Sequence, residues 1–356
     1  MNILSLFDGI SCGHLAFERA NITVDNYYAS EIDKSAIGIT QKNYPNTIQL
    51  GDVSDIDFTQ FIDKIDIIIG GSPCQDLSIA NNNRKGLDGC KSGLFWKYAE
   101  AVITIKPKYF LLENVASMST ENRDIISKTL GVEPIFINSN LVSAQNRKRL
   151  YWTNIPNITI PENKNIKLSD ILECDQDLSN MLYYIEVDDK NRRKIKPYPY
   201  AGCAFRTRLD ETGKYKRLEI NKDEEKSNAL TTISTDSMVC EYLTVYEATK
   251  KGYFHVKPGE CVDLSIVNSK TRRGRSMIEK ANCLMSVDPN FYRYLGVDEN
   301  TNLQVIRKFT PIECERLQTL PDNYTNGLSN SKRYKIIGNG WTVDVIAHIF
   351  KHIILN

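Results

Sequence analysis

Three places in this chain carry residue types that could do chemistry together: Cys74, Glu113, and the pair Arg147 and Arg149. Cys74 follows an apolar, β-branched run at 65–69, then two glycines, Ser72 and Pro73. In open α/β sheets ligands gather beyond the carboxyl ends of strands, so a cysteine delivered there is a candidate nucleophile. A cysteine taken alone is more often a small buried hydrophobe, and a catalytic one needs partners elsewhere in the chain. Glu113 ends a second apolar run, Tyr109-Phe110-Leu111-Leu112. A carboxyl among apolar neighbours keeps its proton to higher pH and can hold or donate it near neutrality. Arg147 and Arg149 stand two apart, so on a strand they share one face. They could hold a polar edge of a substrate or stabilise developing negative charge.

These groups need a scaffold, and the first 155 residues supply its rhythm. Strand-like segments at 3–6, 25–30, 47–50, 65–69, 109–112 and 135–138 alternate with helix-like ones at 13–20, 34–43, 95–104 and 122–130. That βαβ order predicts a parallel, doubly wound sheet. Phe7-Asp8-Gly9-Ile10-Ser11-Cys12-Gly13 links the first strand to its helix, and glycine there lets the backbone approach a ligand. The loop only weakly matches a dinucleotide fingerprint. Glu31 falls at the end of the second strand, where a carboxylate can take both hydroxyls of a ribose. Asp52 falls at the end of the third, where it can accept from the exocyclic amine of adenine. Either acid alone reads as a cap or a surface group; in register at successive strand ends with the glycine loop, they favour an adenosine-containing cofactor.

Composition sets outer bounds. With 356 residues the chain has room for two domains and a sizeable core. Its longest apolar runs fall well short of the roughly 20 residues of a membrane span, and its opening residues read as a strand rather than a leader. Nine scattered cysteines without CxxC spacing, and only four histidines, argue against a zinc site or a disulfide framework and fit a reducing cytosol. A net charge of +1 does not by itself point to nucleic acid. Among the local basic clusters, each ordinary surface when taken singly, Arg272-Arg273-Gly274-Arg275 is the best placed to meet phosphate.

In order and spacing, Gly71-Ser72-Pro73-Cys74-Gln75, Glu113-Asn114-Val115, Gln145-Asn146-Arg147-Lys148-Arg149 and Phe7-Asp8-Gly9 resemble the motifs of the DNA cytosine-5 methyltransferases. Gly338-Asn339-Gly340-Trp341-Thr342-Val343 resembles that family's last motif. The run from Arg307 to Gln318, with Leu320-Pro321-Asp322, resembles its penultimate one. The match spans nearly the whole chain apart from the middle third. Two variants stand out: Ile10-Ser11-Cys12-Gly13 where the family often carries more glycines, and Gly-Asn-Gly-Trp-Thr-Val where it often has Gly-Asn-Ser-Val.

The resemblance implies a doubly wound, mostly parallel Rossmann-like domain over 1–165 plus 333–356. A smaller, mostly β and irregular target recognition domain would occupy 166–332. It implies S-adenosylmethionine lined by Phe7, Gly9, Glu31, Asp52, Pro73, Asn339 and Trp341. It implies a cytosine flipped out of double-stranded DNA, with Cys74 adding to C6 and Glu113 protonating N3. Arg149 would hold O2, and Arg147 would support the base or the loop. A monomer is expected, with a cognate restriction endonuclease as a further partner. The alternative substrate is tRNA, used by another branch of the family, though that branch's Cys-Phe-Thr signature is not evident. Two other classes weigh less. A catalytically dead regulator would be expected to lack Cys74 or Glu113, and a nicotinamide-dependent oxidoreductase would carry GxGxxG. Ser227–Thr232 resembles the core of the recognition region, and 280–285 echoes it. The spacing Val343, Ile346, Ala347, Phe350, Ile353 predicts a helix over 334–354.

Overall fold

The computed structural model describes residues 1–73, 94–174, 181–187, 193–197, 243–246, 248–265, 276–285, 290–298 and 303–354. Cys74, the glycine-punctuated stretch at 76–92, 227–232 and 272–275 lie outside them. The chain forms two compact units: residues 1–171, 283–288 and 314–356 make the first, and 172–282 with 289–313 the second.

The first unit is built on β1 (Asn2–Leu6), α1 (Cys12–Arg19), β2 (Asn26–Ser30), α2 (Lys34–Asn43), β3 (Ile48–Gln49), β4 (Ile67–Gly70), α3 (Phe95–Ile105), β5 (Tyr109–Val115), α4 (Thr120–Leu130), β6 (Ile135–Asn138) and β7 (Lys148–Thr153). Its sheet runs β3-β2-β1-β4-β5-β7-β6. The first five strands pair in parallel, and β7 runs antiparallel to both neighbours. Alternation explains the two covered faces. Ile3, Ile67 and Ile69 pack into one core with residues of α1 and α2, while Leu4, Leu6 and Ile68 pack into another with residues of α3 and Trp152. Period-two side chains with apolar residues on both faces are what a buried parallel sheet requires. The strand order turns at β1 and β4, which lie side by side with Leu6 opposite Gly70. The carboxyl ends of these two strands mark the topological switch point.

The chain closes the first unit with α5 (Pro311–Leu317), α6 (Asn330–Asn339) and α7 (Val343–Phe350). One expectation is corrected here. The helix expected over 334–354 is broken: Gly340 takes an extended conformation, and its N–H satisfies the carbonyls of Ile336 and Ile337. α7 then restarts and stacks Phe350 on Phe17 of α1, ring centroids 4.1 Å apart. Residues from 314 onward cluster with the first unit. Gln318 explains this, because its amide donates to the carbonyls of Ile337 and Gly340 while Thr342 Oγ1 donates back to it. Leu320 and Tyr324 enter the same core as α1 and α7.

The second unit contains β8 (Leu182–Val187), β9 (Arg193–Pro197), β10 (Leu243–Tyr246), β11 (Tyr253–Val256), β12 (Cys261–Asp263), β13 (Ser276–Met277), β14 (Phe291–Val297) and β15 (Gln304–Lys308). Six of these form an antiparallel sheet in the order β13-β12-β14-β15-β8-β9, and β10 pairs with β11. Val262, Tyr292, Tyr294 and Ile306 pack into its core. Arg307 and Glu313, both fully buried, form a two-pronged ion pair at 2.8 and 3.0 Å.

Candidate active site

The loop after β1 is held in an uncommon shape. Phe7, Gly9 and Ser11 all have positive φ, at 59°, 62° and 56°. For Phe7 and Ser11 the left-handed region costs about 1–2 kcal/mol each, so something must hold them. Asp8 accepts hydrogen bonds from Ser5 Oγ at 2.6 Å, Tyr27 OH at 2.7 Å and Ser11 Oγ at 2.5 Å. Burial pushes the Asp8 carboxyl above its usual range, outweighing these three donors. Glu31, at the end of β2, accepts from the Gly9 N–H at 2.8 Å through one oxygen and from the N–H groups of Ile32 and Asp33 through the other. The two acids thus lock the loop from both sides. Asp52, at the end of β3, caps the following turn by accepting from Ser54 N–H at 2.9 Å.

β4 delivers the second loop. Asn114 Nδ2 donates to the carbonyl and hydroxyl of Ser72, at 3.3 and 3.2 Å, and so anchors the backbone two residues before Cys74. Gly71 needs its missing side chain. A Cβ there would lie 2.8 Å from Trp341 Nε1 and 3.2 Å from Glu113 Oε2. Trp341 also closes over Gly13, where a Cβ would meet Ile69 at 2.4 Å. The break between α6 and α7 therefore brings an indole to the start of α1 and to the loop after β4.

β5 and β7 set the polar end of the site. Val115 pairs with Arg149 and Glu113 with Tyr151, so Glu113 and Arg149 are diagonal neighbours, within reach for long side chains. Arg149 Nε meets Glu113 Oε1 at 2.6 Å. Arg147, 5% exposed, donates to the carbonyls of Gly338, Gly340 and Leu284. It thereby fixes the turn that carries Asn339 and Trp341. Arg147 lies just before β7 rather than on it, and the two arginines meet at Cys283 Sγ, 3.4 Å from Arg147 Nη1 and 3.8 Å from Arg149 Nη2.

Glu113, Arg149 and Trp341 therefore come together around Gly71, with Phe7, Gly9 and Glu31 joined in the neighbouring loop. Pro73 directly follows Ser72; Asn339 is exposed at the end of α6. Sequence reasoning assigned no role to Asp8, Asn114 or Cys283. Asp8 and Asn114 were legible as polar residues next to expected strands; Cys283 had no local signal. The thiols near this site differ in kind. Burial pushes Cys12 up to about 12, which leaves it inert as a nucleophile. Burial also opposes ionisation of Cys283, but Arg147 and Arg149 outweigh it and hold that thiol below the ordinary range. Among the described residues no cluster of His, Cys, Asp and Glu could hold a metal ion, and no helix is long and apolar enough to cross a membrane.

Comparison with known proteins points the same way. A family model described as C-5 cytosine-specific DNA methylase matches residues 1–355. The orphan methyltransferase M.SPRI of Bacillus phage SPR is 26% identical, over 99% of this chain and 97% of its own length. The type II methyltransferase M.FnuDI of Fusobacterium nucleatum is also 26% identical, over 99% and 94%. Among solved structures, S. pombe Dnmt2 methyltransferase superposes with a TM-score of 0.54 at 16% identity, covering 98% of this chain and 97% of that one. The Entamoeba histolytica methyltransferase EhMeth gives 0.56 at 18%, covering 99% and 97%. At such identities the superpositions establish a shared fold.

Proposed function

The chain belongs to the C-5 cytosine-specific DNA methylase family, and we propose that within it this protein methylates cytosine at C5 in specific sequences of double-stranded DNA. Its cofactor is S-adenosylmethionine, which supplies an electrophilic methyl group. The donor set suits that molecule: aromatic rings at Phe7 and Trp341, carboxylates at Glu31 and Asp52, and glycines at 13 and 71 where a side chain would collide with neighbours. In this reading Phe7, Gly9, Glu31, Asp52, Pro73, Asn339 and Trp341 hold the cofactor.

The observation that carries the proposal is the Glu113 carboxylate, gripped by Arg149 on one oxygen and turned toward Gly71 on the other. Cytosine C5 is a poor nucleophile. Addition of the Cys74 thiolate to C6 turns the ring into an enamine and makes C5 nucleophilic. Glu113 hydrogen-bonds the N3/N4 edge and gives N3 its proton, so that negative charge does not build up on the ring. Arg149 holds O2 and Glu113 together, and Arg147 positions the turn of Asn339 and Trp341. After transfer a base removes the C5 proton, the C6–S bond breaks and the thiolate is regenerated. The target base must be outside the stack, because C5 and C6 are unreachable within it.

Base reading falls to the recognition region expected over 166–332, with the protein acting as a monomer and a cognate restriction endonuclease cutting the same site. The match of residues 1–355 to a family model described as C-5 cytosine-specific DNA methylase supports DNA as substrate. The second reading is tRNA, and the end-to-end likeness to Dnmt2 methyltransferase structures is the observation in its favour. Expression in a host without cytosine methylation, followed by conversion sequencing of both DNA and tRNA, decides between them. A single methylated DNA motif is expected; 5-methylcytosine confined to tRNA overturns DNA in favour of the second reading.

A further inference from the structure

The loop after β1 contains a chain of hydroxyls that is one hydrogen short when Asp8 is ionised. Asp8 Oδ2 lies 2.5 Å from Ser11 Oγ, Ser11 Oγ lies 3.1 Å from Thr40 Oγ1, and Thr40 Oγ1 lies 3.4 Å from the Gly9 carbonyl oxygen. Ser11 and Thr40 are fully buried, so bulk water supplies no hydrogen to the chain. These three links need three hydrogens, and the two hydroxyls carry one each. With Asp8 ionised, Ser11 donates to it, and Thr40 must choose between Ser11 and Gly9. With a proton on Oδ2, Asp8 donates to Ser11, Ser11 to Thr40 and Thr40 to Gly9, and every link is filled. The other carboxyl oxygen, Oδ1, accepts from Ser5 and Tyr27 in either form. The proton therefore decides whether the Gly9 carbonyl is braced, at a residue whose N–H Glu31 already holds.

We propose that Asp8 is a proton switch for cofactor binding: in the free protein it carries a proton that fills the chain through Ser11 and Thr40 to Gly9, and it releases that proton to solvent when a cationic cofactor binds. The inference rests on the reading of this loop as the seat of S-adenosylmethionine, and deepens it. That molecule carries a sulfonium and an ammonium against one carboxylate. A net positive charge held by Phe7 and Gly9, on either side of Asp8 in the chain, favours the carboxylate. By linkage the carboxylate favours the charged cofactor. S-adenosylhomocysteine has a thioether in place of the sulfonium and gains less, so the same switch separates the methyl donor from its spent product. The groups facing Asp8 are Ser5 of β1, Tyr27 of β2, Glu31 at the end of β2, Ser11 and Cys12 at the start of α1, and Thr40 of α2. Burial first, and then the Glu31 charge, raise the Asp8 carboxyl, while burial keeps Cys12 and the nearby Tyr324 neutral.

Calorimetry of S-adenosylmethionine binding to the full-length protein, in buffers of differing ionisation heat, counts the protons released. From about pH 5 to pH 7, above the ordinary aspartate value near 3.9, binding should release up to about one proton and tighten by up to about tenfold per pH unit until release stops. S-adenosylhomocysteine should release less. Two variants separate the switch from packing. Thr40→Val strands the Ser11 hydrogen of the protonated form, so release should shift to lower pH. Tyr27→Phe takes a donor from the carboxylate, so release should shift to higher pH. No release across that range, or variant profiles that stay in place or move the same way, overturns the proposal. Failure to bind S-adenosylmethionine at any pH would instead sink the reading of the loop. The infrared spectrum of the free protein then still decides the switch: a protonated-carboxyl band that persists above the ordinary aspartate range and is missing in Asp8→Asn is expected, and its absence overturns the proposal.

Discussion

Two arginine–glutamate pairs in this protein look alike on paper and differ in what they leave over. In the second unit, Glu313 receives both prongs of Arg307 and also the N–H groups of Thr310 and Glu173. Each of its oxygens accepts two bonds, and both side chains are completely buried. In the first unit, Arg149 takes Glu113 by a single nitrogen, with both side chains slightly exposed, and the other carboxylate oxygen faces Gly71. A saturated pair can only hold the fold. A pair gripped on one side, beside a position kept free of a side chain, has capacity to spare for a substrate.

That contrast can be broken by experiment. The largest expected effect is on turnover: Glu113→Gln should lower kcat by about 10²–10⁴-fold, the range for loss of a positioned acid. Cofactor affinity and the urea midpoint should change little. Unchanged turnover would place Glu113 with the structural pairs. Next comes Glu313→Ala, which strands the buried Arg307 and should cost about 3–5 kcal/mol in urea denaturation, with activity per folded molecule retained. Gly71→Ala sharpens the comparison from the other side. Its new methyl meets the Trp341 indole and the free face of Glu113, so KM for S-adenosylmethionine should rise about tenfold, as read by initial rates.

The smallest effect belongs to a third pair, Arg316 and Asp322, at 2.6 Å on the surface. The hydrogen bond from Arg316 holds the Asp322 carboxyl below its usual range. Its contribution is therefore present above the unfolded value near 3.9 and is lost as pH falls through the lower folded value. Asp322→Asn should cost no more than about 1 kcal/mol at neutral pH, and that difference should vanish in acid denaturation curves.

Much of the first unit was legible in the sequence because its signals are local. The apolar run ending in Glu113 and the glycines before Pro73 each declare a strand and where it ends, whereas the spacing of Arg147 and Arg149 suggested one strand for both and β7 holds only Arg149. The strand expected at 65–69 is observed at Ile67–Gly70, with Gly70 under the ring of Tyr98. What escaped was set by long-range contact. Apolar spacing over 334–354 reads as one helix, because it says nothing of Arg147 and Gln318 reaching the Gly340 carbonyl and holding the break open. Cys283 is 134 residues from Arg149 along the chain, so its neighbours could not be read from its own surroundings. Asp8 was legible as a loop residue, but its grip on Ser5, Ser11 and Tyr27 needed the β1–β2 pairing.

Leu6 and Gly70 face each other across a parallel ladder, and the loops leaving them are those expected to hold the methyl donor and to carry the attacking sulfur. Their bases are thus one strand spacing apart, about 4.8 Å, a length fixed by backbone hydrogen bonds rather than by any side chain. The sheet acts as a gauge block: the ladder, and not what the loops carry, sets the interval between the two points from which they spring.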